Sequence, residues 1–152
     1  MPNLFPVSTD FSESELLQEA EAETTTLFGR SWRFDFDGGE FMITPTGKVV
    51  EADEKEAWIQ WCMKTILTAR YRYLIYSRDY GHELEDLIGS GVHRAVYESE
   101  IQRMVQEALL TDSRTARVDG FEFNWLGDNC SFKCSVSSIR DEQVTLQGNV
   151  VI

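Results

Sequence analysis

Val118-Asp119-Gly120-Phe121-Glu122-Phe123-Asn124-Trp125, Asn129-Cys130-Ser131-Phe132-Lys133-Cys134-Ser135-Val136-Ser137 and Gln143-Val144-Thr145-Leu146-Gln147-Gly148-Asn149-Val150-Val151 decide how this chain folds. In each, apolar and polar residues alternate with period two, the spacing of a strand with one buried face. Gly127-Asp128-Asn129 and Arg140-Asp141-Glu142 part them with turn residues. Three strands joined this closely form an antiparallel meander at the C-terminal end of the chain.

Upstream of Thr111–Arg114 the period changes to that of helices. Val92, Val96, Ile101, Met104, Val105, Ala108 and Leu109 mark a long helix. Leu84, Leu87 and Ile88 mark a short one that stops at Gly89-Ser90-Gly91. Between Asp79-Tyr80-Gly81, a turn, and the preceding helix, Tyr71–Tyr76 is rich in aromatic and branched residues and reads as extended. That preceding helix, capped by Asp53, carries Ala57, Trp58, Trp61, Cys62, Thr65 and Ile66 on one face and fades near Ala69. Earlier still, Trp32, Phe34 and Phe36 alternate with charged residues, Gly38-Gly39 turns the chain, and Phe41–Thr44 returns as the second arm of a β-hairpin. Lys48–Glu51 follows Pro45-Thr46-Gly47 as a third short strand. The expected class is α+β: an N-terminal β-hairpin, central helices and a C-terminal antiparallel three-strand meander, in one sheet-plus-helices domain.

The chain has 152 residues, 42% of them hydrophobic and 12% aromatic, enough for one domain with a real core. No apolar run approaches the ~18 residues a membrane span needs, and the start lacks a signal-peptide pattern. The net charge of −12 argues against nucleic acid, whose binding depends on Lys and Arg displacing counterions. Half of that charge lies in residues 1–29, with six acidic residues and no basic one. Residues 1–28 therefore read as a flexible or partner-ordered acidic arm, and 29–152 as the domain. Phe5, Val7, Phe11, Leu16 and Leu17 suit an arm that docks, on a partner or on its own body. Three cysteines, an odd number, fit a reducing compartment.

Candidate chemistry is sparse. Cys130 and Cys134, four apart in a strand, lie roughly 13 Å from each other, too far to share one ion. His82 and His93 have no ligand spacing, and neither a nucleophile elbow nor a phosphate loop is present. No metal or cofactor is expected. Glu83, Asp86 and Glu98 are the carboxylates a glycosidase could use, though none is set in an apolar stretch. The sharper features suit contact with proteins. Tyr71, Tyr73, Tyr76 and Tyr80 interleave with Arg70, Arg72 and Arg78, residue types that anchor interfaces. Asp112-Ser113-Arg114 can brace a turn or present a fork of donors to a partner carboxylate. The chain ends in an apolar strand, Asn149-Val150-Val151-Ile152, and a terminal strand at an edge invites pairing with another chain. On the sequence alone, Val150→Pro is the change that removes a donor offered to such a partner.

Three quoted stretches carry a resemblance. Gly29–Phe36, Glu56-Ala57-Trp58-x-x-Trp61-Cys62-x-Lys64-Thr65, and Arg72-Tyr73-x-x-Tyr76-Ser77-x-Asp79-Tyr80-Gly81-x-Glu83-Leu84, followed by Asp112-Ser113-Arg114, resemble the sheath-initiator, lysozyme-like wedge family of contractile phage-tail baseplates. The branch resembled is that of Gram-positive prophages and phage-tail-like bacteriocins, over residues 29–151. The resemblance implies a structural subunit, six copies to a baseplate around the tail tube, that templates the first sheath layer by β-strand addition. Its implied partners are the sheath protein and other wedge proteins, and its implied place is a particle assembled in the bacterial cytoplasm. Many members bind the wedge core through Glu-Pro-Arg after the long helix; this chain keeps acid and Arg as Asp112 and Arg114 and loses the Pro. The wedge-core interface is thus expected at Asp112, Arg114, Arg72, Tyr73, Tyr76 and Tyr80. The sheath-interface strand is expected at Val144, Leu146, Asn149, Val150, Val151 and Ile152. A tail-associated peptidoglycan glycosidase, or an acidic regulator that binds one protein, remain the rival classes at this point.

Overall fold

The C-terminal alternation builds a three-stranded antiparallel sheet, in which β5 (Thr115–Leu126), β6 (Asn129–Ser138) and β7 (Gln143–Val151) lie side by side in that order. The structure, a computed structural model, describes residues 26–152, so most of the expected arm lies outside the described residues. Val118, Cys130, Phe132, Cys134, Val136, Leu146 and Val150 line the buried face of the sheet, and Ser131, Lys133, Thr145, Gln147 and Asn149 the exposed one. Gly120, at φ +63, makes a bulge: Asp119 pairs with Ser135 and Glu122 with Lys133, three steps on β5 against two on β6. The extra residue swaps the faces, so Phe121, Phe123 and Trp125 point inward as Val118 does.

Among the described residues, two helices cover that face: α1 (Glu54–Leu67) and α2 (Arg94–Leu110). α1 buries Ala57, Trp58, Cys62, Thr65 and Ile66, the stripe its spacing predicts, and Trp58 Nε1 donates to Thr115 Oγ1 at 3.0 Å. Asp53 stands at the N-cap position without a capping hydrogen bond, and Glu54 N–H donates instead to Gly29 O. α2 starts at Arg94, where the His93 ring accepts from Ala95 N–H. Its buried row runs from Tyr97 through Ile101, Met104, Val105, Ala108 and Leu109. Val92 and Val96, expected on that row, are exposed: Val92 precedes the helix, and Tyr97 takes the core position one residue later.

The N-terminal strands form β1 (Arg30–Trp32), β2 (Phe34–Asp35), β3 (Glu40–Phe41) and β4 (Glu51–Asp53). β2 and β3 are the expected hairpin, with Asp35 Oδ1 accepting from Asp37 and Gly38 N–H to close a loop longer than Gly38-Gly39 alone. β1 pairs with β4, so the expected third strand is shifted: Lys48 and Val50 bond back to Thr44 and Met42 around a single Ile43–Val49 bridge, and the strand itself is Glu51–Asp53. Phe28, at the C-terminal end of the expected arm, is buried in the core.

One element differs. Tyr71–Tyr76 is not extended but a run of turns: Tyr71 sits at φ 65, and Arg72, Tyr76 and Tyr80 N–H each donate to a carbonyl three residues back. Among the described residues no neighbouring strand offers a ladder there, and local bonds satisfy the backbone instead. Among the described residues no helix is long and apolar enough to cross a membrane.

Cys62, Cys130 and Cys134 are all buried against this core. Burial pushes the Cys62 thiol up to about 12 and the Cys134 thiol up to about 11, and raises Cys130 as well. Only thiolate reacts with disulfide reagents. The folded protein should therefore leave all three thiols unlabelled at about pH 8, and denaturant should release them together.

Candidate assembly interface

β7 is hydrogen-bonded on one side only, to β6, among the described residues. In an antiparallel pair, successive residues point their main-chain groups alternately toward and away from the partner. Ser138 N–H donates to Glu142 O, and Ile152 N–H donates to Asp128 O. With the register that pairs Cys130 with Val150, the even-numbered residues of β7 bond inward to β6. Gln143, Thr145, Gln147, Asn149 and Val151 point their N–H and C=O to the free edge. Val144, Leu146 and Val150 hold the strand to the core by their side chains, and Ile152 packs partly against it. The expected Val150 test is corrected by this parity: the Val150 N–H belongs to the β6 ladder, and Pro there breaks the domain's own sheet.

Beside that edge runs a groove of about 400 Å³. Ile66 and Leu67 at the end of α1, and Leu84 and Ile88 in and after a 3-10 turn (Leu84–Leu87), form one wall; Gly148, Val150 and Val151 form the other. Leu67 and Ile88 stay largely exposed. Gly148 is required here, because a Cβ would meet the Phe132 ring at 2.5 Å. The wall is pinned where α1 ends: Thr68 O accepts from His82 N–H, and His82 O accepts from Arg70 N–H. Gly81, at φ +94, passes so close that a Cβ would lie 2.6 Å from Thr68 O.

The tyrosine–arginine segment lies on the other side of the α1 end. The Arg70 side chain, 8% exposed, reaches Glu107 at 2.9 Å and Glu83 at 3.2 Å. Arg72 pairs with Glu85 at the surface. Tyr73, Tyr76 and Tyr80 follow one another at ring distances of 6.2 and 4.6 Å, and Tyr80 meets Trp61 edge-on at 5.8 Å. Burial raises the Tyr80 phenol above its ordinary value, against the Thr65 and Thr68 hydroxyls. At the loop tip Leu74 is 102% and Ile75 87% exposed. An extended strand would bury one of these two neighbours, whereas the run of turns leaves both in water.

Arg114 closes the set. Its Nη2 and Nε bind Asp112 at 2.6 and 2.9 Å, and its Nη1 donates to Phe28 O at 2.7 Å. Its guanidinium stands 6.0 Å from the Trp61 ring. With side chains 14% and 10% exposed, Arg114 and Asp112 brace the turn, the first of their two expected uses. The structure thus joins all six expected wedge-facing residues but Arg72 through one chain of contacts: Asp112, Arg114, Trp61, Tyr80, Tyr76, Tyr73. Of the carboxylates considered for hydrolysis, Glu83 holds Arg70 and Glu98 accepts from Trp125 Nε1 at 2.8 Å, while Asp86 lies in the 3-10 turn.

Residues 30–142 match the sequence profile of the family described as contractile injection system sheath initiator. The phage-like element PBSX protein XkdS of Bacillus subtilis (strain 168) is 32% identical over 111 residues, 72% of this chain and 74% of that protein. A chain in the cryo-EM structure of the anti-feeding prophage baseplate, six-fold symmetrised, is similar at 14% identity and a TM-score of 0.48, over 81% of this chain and 85% of that one.

Arg114→Ala leaves Asp112 without its partner and should cost roughly 3 kcal/mol of stability in urea unfolding, with Arg114→Lys recovering only part. His82, which lines the groove, accepts from Leu84 N–H through Nδ1, and burial lowers its pKa below 6.5, with Arg70 lowering and Glu85 raising it. The unfolded chain then binds the proton more readily, so stability should fall as pH drops below about 6.5. His82→Gln should flatten that part of the profile in denaturant titrations.

Proposed function

The chain belongs to the contractile injection system sheath initiator family, and from that premise we propose that it is a structural baseplate subunit whose β7 edge receives a strand from the first sheath layer. The single observation that carries this reading is the row of outward main-chain groups from Gln143 to Val151, set beside an apolar groove. Each hydrogen bond of such a pairing nets only about 0.5–1.5 kcal/mol. The backbone alone therefore fixes register and direction, while association entropy has to be offset elsewhere. The groove supplies that: an apolar side chain of the incoming strand covers Leu67 and Ile88.

The Tyr73–Tyr76–Tyr80 corner, with Arg72 beside it and Leu74 and Ile75 at its tip, is the surface we assign to neighbouring wedge proteins. Asp112 and Arg114 support that surface from beneath. Six copies around a tail tube would present six strand edges at one level, so weak individual pairings act together on a sheath ring. The proposed role is assembly in the bacterial cytoplasm, with no catalytic step.

Purified protein, cognate sheath protein and preassembled tube–baseplate are mixed and imaged by electron microscopy. Sheath that grows from the baseplate only when this protein is present supports the reading, and equal growth without it overturns it. Asn149→Pro removes a donor from the free edge, where Pro is tolerated. That variant should fold, join the baseplate and fail to start sheath. Val150→Pro should instead lower thermal stability by breaking the β6 pairing.

A further inference from the structure

A second cavity, of about 440 Å³, opens between the N-terminal strands and the middle of α1. Trp32, Phe34, Phe36, Phe41, Trp61 and Tyr76 form its aromatic wall. Trp32 and Phe41 are each more than half exposed, a large aromatic surface to leave in water. The charged groups lining the cavity are Arg30, Lys64 and Arg114, with no carboxylate among them, in a chain of net charge −12. Arg114 is spent on Asp112. Arg30 meets Glu51 and Asp53 only at 4.0 and 3.9 Å, and Lys64 has no ion-pair partner among the described residues. The rim therefore offers two under-used cations around an apolar hole, which suits an acidic segment with apolar anchors.

The chain carries such a segment. Residues 10–17 set Phe11, Leu16 and Leu17 among Asp10, Glu13 and Glu15. The described chain enters the core at Phe28 and reaches the cavity rim at Arg30. Leu17 is 13 residues before Arg30, a reach of up to about 40 Å. A tether of that length sets an effective concentration on the order of millimolar, so a weak contact suffices.

We propose that residues 10–17 of the same chain occupy the aromatic cavity, with Phe11, Leu16 and Leu17 against the rings and the carboxylates toward Arg30 and Lys64. The arm then covers the exposed aromatics of the free subunit, including Tyr76, which also belongs to the tyrosine corner. This inference is independent of strand pairing at β7.

The test places the photo-crosslinker p-benzoylphenylalanine at Phe11 in the full-length protein, irradiates it at low ionic strength and maps the products by mass spectrometry. The expected product is a crosslinked monomer joined to the peptides that hold Trp32, Phe41 or Trp61. In a folded Arg30→Glu/Lys64→Glu variant, checked by near-ultraviolet circular dichroism, its yield should fall by roughly threefold. Crosslinks elsewhere, crosslinks confined to covalent dimers, no crosslink, or a yield indifferent to rim reversal would each overturn the proposal.

Discussion

The pairing of Arg114 with Asp112 and with the Phe28 carbonyl is the constraint on which the rest of the molecule leans. One guanidinium ties the turn between α2 and β5 to the point where the N-terminal strands enter the core, 86 residues earlier. Phe28 is held twice, since the Arg140 guanidinium covers its ring at 4.1 Å while reaching Glu54 at the start of α1. A mostly buried charge of this kind is stable only with every donor used. That requirement fixes the separation of three chain segments more tightly than apolar contact alone. The N-terminal strands therefore stand against α1 at a set distance, and the aromatic cavity is the space they leave.

Both proposed interaction surfaces depend on how α1 ends. Its last turn sends Ile66 and Leu67 to the groove beside β7, while Trp61, one turn earlier, backs the tyrosine corner. The short parallel bridge from Ala69 to His82 and the buried Arg70 hold the intervening loop so that its tip, Leu74-Ile75, stands in solvent. Apolar residues displayed on a braced loop differ from apolar residues on a loose one: the entropy of ordering them has already been spent in folding. The proposed binding of neighbours on two sides would gain from that preorganisation.

The sheet and helices were legible because their signals are local. Period-two runs at 129–137 and 143–151, and the 3.6 spacing of Ala57, Trp58, Cys62, Thr65 and Ile66, each report a buried face directly. Tyr71–Tyr76 misled because aromatic and branched residues prefer strands only when a neighbouring strand is there to pair with. Val92 misled because it fits the helical spacing although the helix begins only at Arg94, and Val96 because its neighbour Tyr97 takes the core position in the first turn. The bulge at Gly120 is visible in retrospect: Val118 and Phe121 are three apart in an otherwise even pattern, and only an inserted residue puts both on one face.

By itself the sequence determined the class, the antiparallel meander, the absence of a cofactor motif and the residue types available for contact, since these follow from spacing and composition along the chain. Only the tertiary structure decided which groups are offered outward. The direction of each β7 amide depends on which neighbour took the other side, so Asn149 and Val150, adjacent in the chain, turn their N–H groups opposite ways. Arg114 could have been a donor to a partner or an internal brace. The nearby Phe28 carbonyl and Asp112 carboxylate, brought there by packing, made it the brace.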